Sequence, residues 1–353
     1  MSLNPFKRTI GLDISDSKIR FIQLNKSHKK AAAIDAFGEV TVPRDLIKSG
    51  DITDRTQVIK LITGMLEKPA YGKVSTKFIN SALPEKRTFI KTVTFPNVPI
   101  EELPGAVGWG VEQNIPVTLK NVYYDWFMLN DGKPNDQDKL SAMVSVAPRE
   151  LTDQYTSLIK EAGLTPIGLE NESTAIARCL LDQHLPKPPS MFIIDLGRSR
   201  TNIMMYSNGA IQFAESVDVS GREMTEAVAH KMNMTYEDAE KAKIITGLDI
   251  KKSRGSVRAI LEPIMLRLIS KIEEGVYFYQ HYIAPEQKIE SLLLTGSVSR
   301  MQGVPEYLEE KLQRPVTIGN PAINLSIPKN KKKSLNVDFI SYSTAIGLGL
   351  KNF

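Results

Sequence analysis

The chain has 353 residues, a length that suggests about two domains. Apolar residues make up 42% and charged residues 24% of it, which is typical of a globular protein with a full core. No run approaches the ~18 apolar residues that a membrane-spanning helix needs, and the N-terminus lacks the apolar stretch of a secretory signal. We therefore expect a cytoplasmic protein without a transmembrane span.

Cysteine usage and charge exclude further classes. The only cysteine, Cys179, rules out an internal disulfide, and its apolar helical surroundings predict a buried structural thiol rather than a nucleophile. The net charge of +5 is scattered, except at 28–30 and 329–333, which we expect to be solvated loops or weak contacts to an anionic membrane. No basic face is interleaved with aromatic residues, so nucleic-acid binding is not expected.

In chain order, the first half alternates strands and helices. Hydrophobic periodicity predicts a strand meander, an amphipathic helix and a strand. A block of strand, helix, two strands and helix follows, and one more helix closes the half. These elements are predicted at 8–24, 29–42, 53–68, 74–81, 88–95, 99–114, 122–129, 140–147, 148–163 and 169–184.

The second half repeats this alternation. Prolines at positions 186, 188 and 189 predict the boundary between the halves. A hairpin, a strand, two short helices, a long helix, a strand and two further helices come after it. They are predicted at 191–206, 210–219, 221–232, 235–245, 256–283, 291–294, from about 304, and at 342–350.

One short pattern occurs twice, half a chain apart. An apolar strand ends in Asp13, a small polar turn follows, and a second apolar strand begins; the same order surrounds Asp195, and Ser15 aligns with Gly197. Backbone N–H groups of such turns can bind phosphate oxygens, and each aspartate can hold a metal-bound water. One copy alone would be ordinary turn chemistry. Two copies predict two facing domains that grip one polyphosphate.

The order of these features resembles the actin-like ATPase superfamily, and within it the branch of FtsA and PilM. The late strand ending Leu294-Thr295-Gly296 and the terminal helix of small residues fit the same layout. Three segments resemble PilM signatures: a Trp-x-x-Glu-Gln-x-Ile-Pro motif, an Ala-Gly-Leu-x-Pro connecting segment and a Gly-x-x-x-Thr helix start. They lie at 109–116, 162–173 and 219–227.

The resemblance implies an α/β, actin-like two-domain fold, that is, a duplicated ribonuclease-H-like core with an inserted FtsA/PilM-type α+β subdomain. Domain I would begin the chain, continue in a connecting helix and receive the C-terminal helix. Domain II would include a smaller helical subdomain. The implied ranges are 1–83 for domain I, 84–166 for the insertion, 167–188 for the connecting helix, 189–338 for domain II with its subdomain at about 221–288, and 339–353 for the C-terminal helix.

The resemblance also implies ATP and Mg²⁺ as ligands and assigns site residues by matching position. Asp13 and Asp195 would face the metal through water. Glu240 and Lys243 share one helix face; in the superfamily such a pair reaches the ribose and adenine, and a solvated ion pair is the alternative. The other assigned residues line the two phosphate turns and the adenosine loop: Ser15, Asp16, Ser17, Gly197, Arg198, Thr201, Thr295, Gly296 and Ser297.

All three loops depart from the family pattern. Ser15 stands where a glycine with free access to positive φ is usual. Asp16 brings a negative charge to the phosphate side, and Val298 replaces a small residue beside the base. Arg198 and Arg200 could compensate for Asp16 or bind phosphate themselves. We therefore expect weak or absent nucleotide binding, and no residue stands out as a catalytic base.

The inserted block predicts a partner site. In its second strand Tyr124 and Trp126 face one way, and Tyr123 and Phe127 face the other. The aromatic residues either fill the core of a small layer or line a groove for a peptide. The resemblance favours the groove, because PilM-like proteins bind the N-terminal cytosolic segment of PilN, a single-span inner-membrane protein. The candidate residues are Trp109, Gln113, Tyr123, Tyr124, Trp126 and Phe127.

Three functions remain open at this point. The first is a PilM-like scaffold of type IV pilus assembly at the cytoplasmic face of the inner membrane. It would bind ATP, hydrolyse it slowly or not at all, and recruit a PilN-like protein; the pilus motor ATPase, platform proteins and further copies of the chain are other candidate partners. The second is a nucleotide-free scaffold of a type II or type IV secretion platform. The third is a sugar-kinase-like phosphotransferase, which needs a catalytic aspartate that we do not find in the matching place.

Overall fold

The structure is a computed structural model that describes residues 8–26, 32–135, 137–185, 188–327 and 337–351. The chain divides into two compact units. Unit 1 comprises residues 1–188, 208–214 and 320–353, and unit 2 comprises residues 189–207 and 215–319. The basic clusters at 28–30 and 329–333 lie outside the described residues.

Strands and helices alternate along the described chain, as expected for an α/β protein. The strands are β1 (Arg8–Ile14), β2 (Lys18–Lys26), β3 (Ala32–Thr41), β4 (Ile47–Lys48), β5 (Asp51–Ile52), β6 (Tyr71–Gly72), β7 (Phe78–Leu83), β8 (Phe89–Pro96), β9 (Val122–Met128), β10 (Lys139–Pro148), β11 (Thr165–Asn171), β12 (Met191–Leu196), β13 (Thr201–Ser207), β14 (Ala210–Val217), β15 (Ser291–Thr295) and β16 (Val316–Ile318). The α-helices are α1 (Arg55–Glu67), α2 (Leu103–Asn114), α3 (Arg149–Glu161), α4 (Glu172–Leu180), α5 (Gly221–Met232), α6 (Tyr236–Thr246), α7 (Ser256–Phe278), α8 (Val304–Leu312) and α9 (Ser343–Leu350).

The centre of unit 1 is a six-stranded sheet in the order β11-β7-β1-β2-β3-β6. Strands β1, β2 and β3 are antiparallel neighbours, whereas β7 and β11 run parallel to β1. Buried residues of α1 and α3 pack with apolar residues of the sheet in one large cluster. Helices α4 and α9 pack together and against β1 and β7. This contact needs small residues, because a Cβ on Gly347 of α9 would lie 1.8 Å from the Ala175 oxygen of α4.

A second, smaller layer in unit 1 has its own core. It is the antiparallel sheet β8-β10-β9, covered by α2. Apolar residues of the sheet, such as Val93 and Val144, pack against Val107 and Val111 of α2. Helix α3 falls within the predicted insertion of residues 84–166, but its buried residues belong to the first cluster. The domain boundaries as a whole stay a prediction.

A buried polar network joins this layer to α4. The Glu85 carboxylate accepts hydrogen bonds from the Ser173 backbone N (2.9 Å) and hydroxyl (3.1 Å). A carboxylate there satisfies a free N–H at the start of α4 and suits the positive end of the helix dipole. The Asn171 amide donates to the Thr88 hydroxyl over 2.8 Å, and Ser145 donates to Asn171. These bonds fix the layer to the main sheet of unit 1.

Unit 2 contains the strands β16-β15-β12-β13, of which β12 and β13 form an antiparallel hairpin and β15 and β16 extend it in parallel. Helices α5 to α8 belong to the same unit. The long helix predicted at 256–283 ends as an α-helix at Phe278 and continues as a π-helical turn over Tyr279–Ile283. Among the described residues, no helix is both long enough and apolar enough for a membrane span.

One predicted element has the wrong type at its start. The sequence predicted a helix from 169, but β11 continues to Asn171 and α4 begins only at Glu172. The reason is tertiary: residues 165–171 pair in parallel with β7, and this pairing outweighs their local helical pattern. Further along α4, Cys179 is buried as expected, and burial raises the pKa of its thiol well above the usual value.

Candidate functional site

The first aspartate hairpin places Asp13 in a buried position. Asp13 lies near the end of β1, directly opposite Arg20 of β2, and its Oδ2 lies 3.9 Å from the Arg20 Nη1. Burial raises the pKa of Asp13 to about 6, and the Arg20 charge only partly opposes this. A buried carboxylate whose ionised form is disfavoured gains from added positive charge, such as a hydrated divalent cation.

Arg20 is a site residue that the sequence analysis missed. Its Nε donates to Glu39 Oε2 over 3.0 Å, and its guanidinium carbon lies 5.8 Å from the centre of the Tyr342 ring. Arg20 therefore connects Asp13 to β3 and to the segment before α9. The available signal was its position in β2, the second strand of the hairpin, in antiparallel register with the aspartate.

Asp16 holds a turn of unit 1. Its two carboxylate oxygens accept hydrogen bonds from the backbone N of Ser49 (3.0 Å) and of Gly50 (3.2 Å). Ser49 and Gly50 connect β4 to β5 and have φ values of 49° and 85°. Two turn amides therefore hold the Asp16 carboxylate in unit 1. These bonds leave its negative charge in place, so the effect of Asp16 on phosphate binding stays a prediction. The contacts could not be predicted from the sequence, since the partners lie in another hairpin.

The other two residues of the first turn serve the turn itself. The Ser15 hydroxyl and backbone N both bond to the Lys18 carbonyl, at 2.8 and 3.0 Å. Ser15 is not among the residues with positive φ, so its replacement of a glycine adds no backbone strain. The Ser17 carbonyl accepts from the Val42 N over 2.9 Å. The turn is therefore fully formed without glycine.

The second aspartate hairpin brings Asp195, Gly197, Thr295 and Gly296 together in unit 2. Asp195 pairs with Thr295 of β15 in parallel register. Gly296 has a φ of 83°, and a Cβ there would lie 2.4 Å from Asp195 Oδ1. A Cβ on Gly197 would lie 2.6 Å from the Arg200 carbonyl, which accepts the Gly197 N–H. Both glycines are therefore required by close backbone approach.

The remaining residues of this turn differ in availability. The Thr201 hydroxyl is buried and donates to the Val219 carbonyl over 2.7 Å, so it stabilises the fold rather than pointing to a ligand. Arg198 and Ser297 are exposed. The Ser199 hydroxyl is buried, and it has no hydrogen-bond partner in the part of the chain that the structure describes. An orphaned buried hydroxyl beside a phosphate-type turn is a position that a ligand oxygen could satisfy.

Glu240 and Lys243 form a closed structural network. Lys243 is 3% exposed, and its Nζ donates to Gly221 O (2.9 Å), Thr225 Oγ1 (2.8 Å) and Glu240 Oε2 (2.8 Å). Three acceptors use all three N–H donors of an ammonium group. Neither the nucleotide-binding role nor the solvated ion pair describes this lysine, because it ties α6 to the start of α5.

Val298 fits into the same network. It is buried, and a Cβ on Gly221 would lie 2.6 Å from its Cγ2. The valine therefore occupies the space that Gly221 leaves open at the start of α5. Its branched side chain therefore has a packing role. From the sequence, Val298 was expected only to crowd the base.

Each unit contributes residues that fit one part of a nucleotide ligand. In unit 1, the buried Asp13 suits a water of a hydrated magnesium ion. In unit 2, the glycine-built turn at Asp195 and the orphaned Ser199 hydroxyl suit a nucleotide phosphate. Lys243 does not fit a role in base binding, because its donors are all used. Among the described residues, no group of three or more His, Cys, Asp or Glu side chains forms a metal cage.

The predicted aromatic cluster divides over three places. Tyr124 and Trp126 pack into the core between the small sheet and α2, which confirms that these two residues share one face of β9. Tyr123 and Phe127 lie on the opposite face of β9 and are 42% and 45% exposed. Trp109 is 57% exposed on α2, because Val107 and Val111 on either side of it face the core. Gln113 is exposed on the same helix.

Tyr123 of β9 packs against α3. The Arg149 guanidinium lies over its ring, 4.2 Å from the ring centre. Its hydroxyl donates to Asp153 Oδ1 over 3.3 Å. Arg149 also donates to the Lys120 carbonyl over 2.9 Å. The Tyr123 side of the layer is therefore ordered by α3, whereas Phe127, two positions along the same face, projects into solvent.

Comparisons with known proteins identify the family to which this chain belongs. The model of the family described as type IV pilus assembly protein PilM matches residues 11–353. The cell division protein FtsA of Rhizobium meliloti is 26% identical over 176 residues, which are 44% of this chain and 38% of that protein. FtsA of Pseudomonas aeruginosa is 22% identical over 208 residues, 54% of this chain and 48% of that protein. The matched part thus covers less than half of each FtsA relative.

Solved structures show the same fold. A PilM-PilN type IV pilus biogenesis complex has a TM-score of 0.80 at 20% identity, covering 98% of both chains. EutJ, an ethanolamine utilization protein from Carboxydothermus hydrogenoformans, has 0.56 at 15% identity, covering 97% of this chain and 89% of that one. MreB 5 of Spiroplasma citri bound to AMPPNP has 0.53 at 14%, covering 94% and 97%. The predicted actin-like fold is confirmed, and the chain belongs to the PilM family of type IV pilus assembly proteins.

Proposed function

We propose that this chain is a PilM-type scaffold that binds Mg-ATP and recruits the cytosolic tail of a PilN-like inner-membrane protein. The family match over residues 11–353 is the observation that carries the proposal. The similar PilM structure is a complex with PilN, which supports a partner of that kind. The nucleotide-bound MreB supports a nucleotide ligand for this fold.

On the nucleotide side, the chain's own residues would mainly bind and orient. In unit 1, Asp13 would hold a water of the metal ion, whose charge favours the ionised form of this buried carboxylate. In unit 2, Asp195 is the proposed carboxylate for a metal-bound water. The metal ion would neutralise phosphate charge. The turn at Gly197 would offer backbone N–H groups and the Ser199 hydroxyl to phosphate oxygens. No described residue is assigned as a base for attacking water, so we propose slow turnover or none.

On the partner side, we propose that the tail binds on the face of β9 that carries Tyr123 and Phe127, next to α3. Phe127 offers an exposed ring, and Tyr123 is a pre-ordered wall because Arg149 and Asp153 hold it. Rigid aromatic residues lose little entropy on binding and are frequent hot spots. The outer side of α2, with Trp109 and Gln113, is the competing location, since it is exposed but has no second wall.

A peptide titration separates these locations. A fluorescent peptide with the N-terminal cytosolic sequence of a PilN-like single-span protein from the same organism should bind the wild type. Phe127→Ser should weaken binding about thirtyfold or more, the equivalent of a hot spot of ~2 kcal/mol. Trp109→Ser and Ile323→Ser, which alters a similarly exposed residue of unit 1, should bind as the wild type does.

Two results would redirect the proposal. A loss confined to Trp109→Ser would move the tail to α2. No binding by the wild type would remove the PilN-like partner and favour a secretion-platform scaffold with other contacts. We do not propose a phosphotransferase, because the sequence has no aspartate at the position that would match the catalytic aspartate of such an enzyme.

A further inference from the structure

Three exposed isoleucines form a patch on unit 2 that none of the proposed sites uses. Ile244 and Ile245 lie in the last turn of α6 and are 52% and 63% exposed. Ile250, in the loop after that helix, is 63% exposed. Single exposed apolar residues are ordinary, but a contiguous group with a polar rim marks an interaction surface. We call Ile244, Ile245 and Ile250 the isoleucine patch.

Hydrogen bonds hold the loop against the helix end, so the patch is one surface. The Lys252 Nζ donates to the Ile245 carbonyl over 2.9 Å, which brings the segment after Ile250 back to the last turn of α6. The Asp249 N donates to the Thr246 carbonyl over 3.2 Å. The isoleucine patch therefore lies on the end of α6 and on the tight loop that follows it.

The rim of the patch is basic on its loop side. Lys251 and Arg254 are exposed beside Ile250, and Lys252 is partly exposed. Lys241, one turn before Ile244 and Ile245, forms an exposed ion pair with Asp238 at 3.5 Å and adds no net charge. The acid of the loop, Asp249, accepts the Lys251 backbone N over 2.9 Å, so the loop carries three basic side chains against one acidic side chain.

We propose that the isoleucine patch and its basic rim bind an anionic phospholipid surface. Aliphatic side chains can enter the headgroup region while nearby lysines and arginines stay with the lipid phosphates. A protein interface is less favoured, because such interfaces are rich in aromatic residues and poor in lysine, and the patch has lysines and no aromatic ring. This contact goes beyond the proposed function, since it needs neither nucleotide nor partner.

Vesicle sedimentation of the full-length chain tests the proposal directly. The chain should sediment with vesicles of equal parts phosphatidylcholine and phosphatidylglycerol, and much less with pure phosphatidylcholine. High salt should weaken the binding, because screening reduces the attraction of the rim. Lys251→Gln should weaken binding about fivefold, the loss expected for one basic side chain near an anionic surface.

The apolar part of the claim has its own variant and control. The double variant Ile245→Ser with Ile250→Ser should lose at least about tenfold in vesicle affinity. Leu266→Ser should bind as the wild type does; it alters a residue of α7 in the same unit that is 47% exposed. Thermal melting of each variant checks that all remain folded.

Three outcomes overturn the proposal. The first is a wild type that does not bind the mixed vesicles, which would leave the patch as a surface for another protein. The second is equal binding to both vesicle types, which would remove the role of the basic rim. The third is a folded Ile245→Ser, Ile250→Ser variant that binds as well as the wild type.

Discussion

Replacing Asp16 tests whether its carboxylate supports a turn or faces phosphate. In the structure its oxygens accept from the Ser49 and Gly50 amides at 3.0 and 3.2 Å. Hydrogen bonds to a charged acceptor contribute about 1.5–3 kcal/mol each, and the site is only partly buried, so we take the lower end. Asp16→Ser should therefore reduce the free energy of unfolding by about 3 kcal/mol, and it should not tighten the binding of Mg-ATP.

The assay is urea unfolding combined with hydrogen exchange of the β4–β5 hairpin. Asp16→Ser should lower the urea midpoint and speed exchange at Ser49 and Gly50. Asp51→Ser is the matched control, because Asp51 lies in the same hairpin and forms only an exposed ion pair with Arg87; its loss should cost under about 1 kcal/mol. Unchanged stability together with tighter Mg-ATP binding in Asp16→Ser would refute our reasoning. It would mean that the Asp16 carboxylate faces the phosphates.

Two further substitutions test buried charges. Lys243→Met should destabilise the protein by about 3 kcal/mol, because the Glu240 charge loses its buried partner. Lys241→Met is the control: this side chain is 72% exposed, and its replacement should change stability by under about 0.5 kcal/mol. Equal urea midpoints for the two variants would contradict the closed network around Lys243. Burial favours a high pKa for Glu170, but the Arg178 and Lys351 charges outweigh the effect of burial and hold that pKa below 4.5. The stability that ionised Glu170 contributes is therefore present above pH 4.5 and is lost as the pH falls through the lowered pKa. Glu170→Gln should therefore cost about 3 kcal/mol at pH 7 and progressively less in acid, and a cost that does not depend on pH would count against the ion pair.

Much of the fold could be predicted because its signals are local. Helix α5 has the predicted bounds of 221–232, since Ser220 caps its start and Asn233 with a φ of 51° ends it. The two aspartate hairpins follow from apolar strands that flank a polar turn, and both hairpins form as predicted. Strand β11 was missed because its stability comes from pairing with β7, which no local pattern records.

The details of the candidate site were harder to predict because they depend on distant partners. The contacts of Asp16 come from a hairpin more than thirty residues away, and two of the three acceptors of Lys243 lie on another helix. A residue type at a matching position therefore fixes the place in the fold but not the direction of the side chain. The exposure of Trp109 could have been predicted, because Val107 and Val111 place the apolar side of α2 opposite to Trp109.

The central claim is that this PilM-family chain is a nucleotide-binding scaffold and not a nucleotide-free one. The most direct measurement is the thermal stability of the chain with and without Mg-ATP. At a hundredfold excess over Kd, binding should stabilise the wild type by about 2.7 kcal/mol. Asp195→Asn should abolish this gain, and Asp218→Asn, which alters an exposed aspartate of the same unit, should keep it. Unchanged melting of the wild type with millimolar Mg-ATP would contradict the claim and favour the nucleotide-free scaffold.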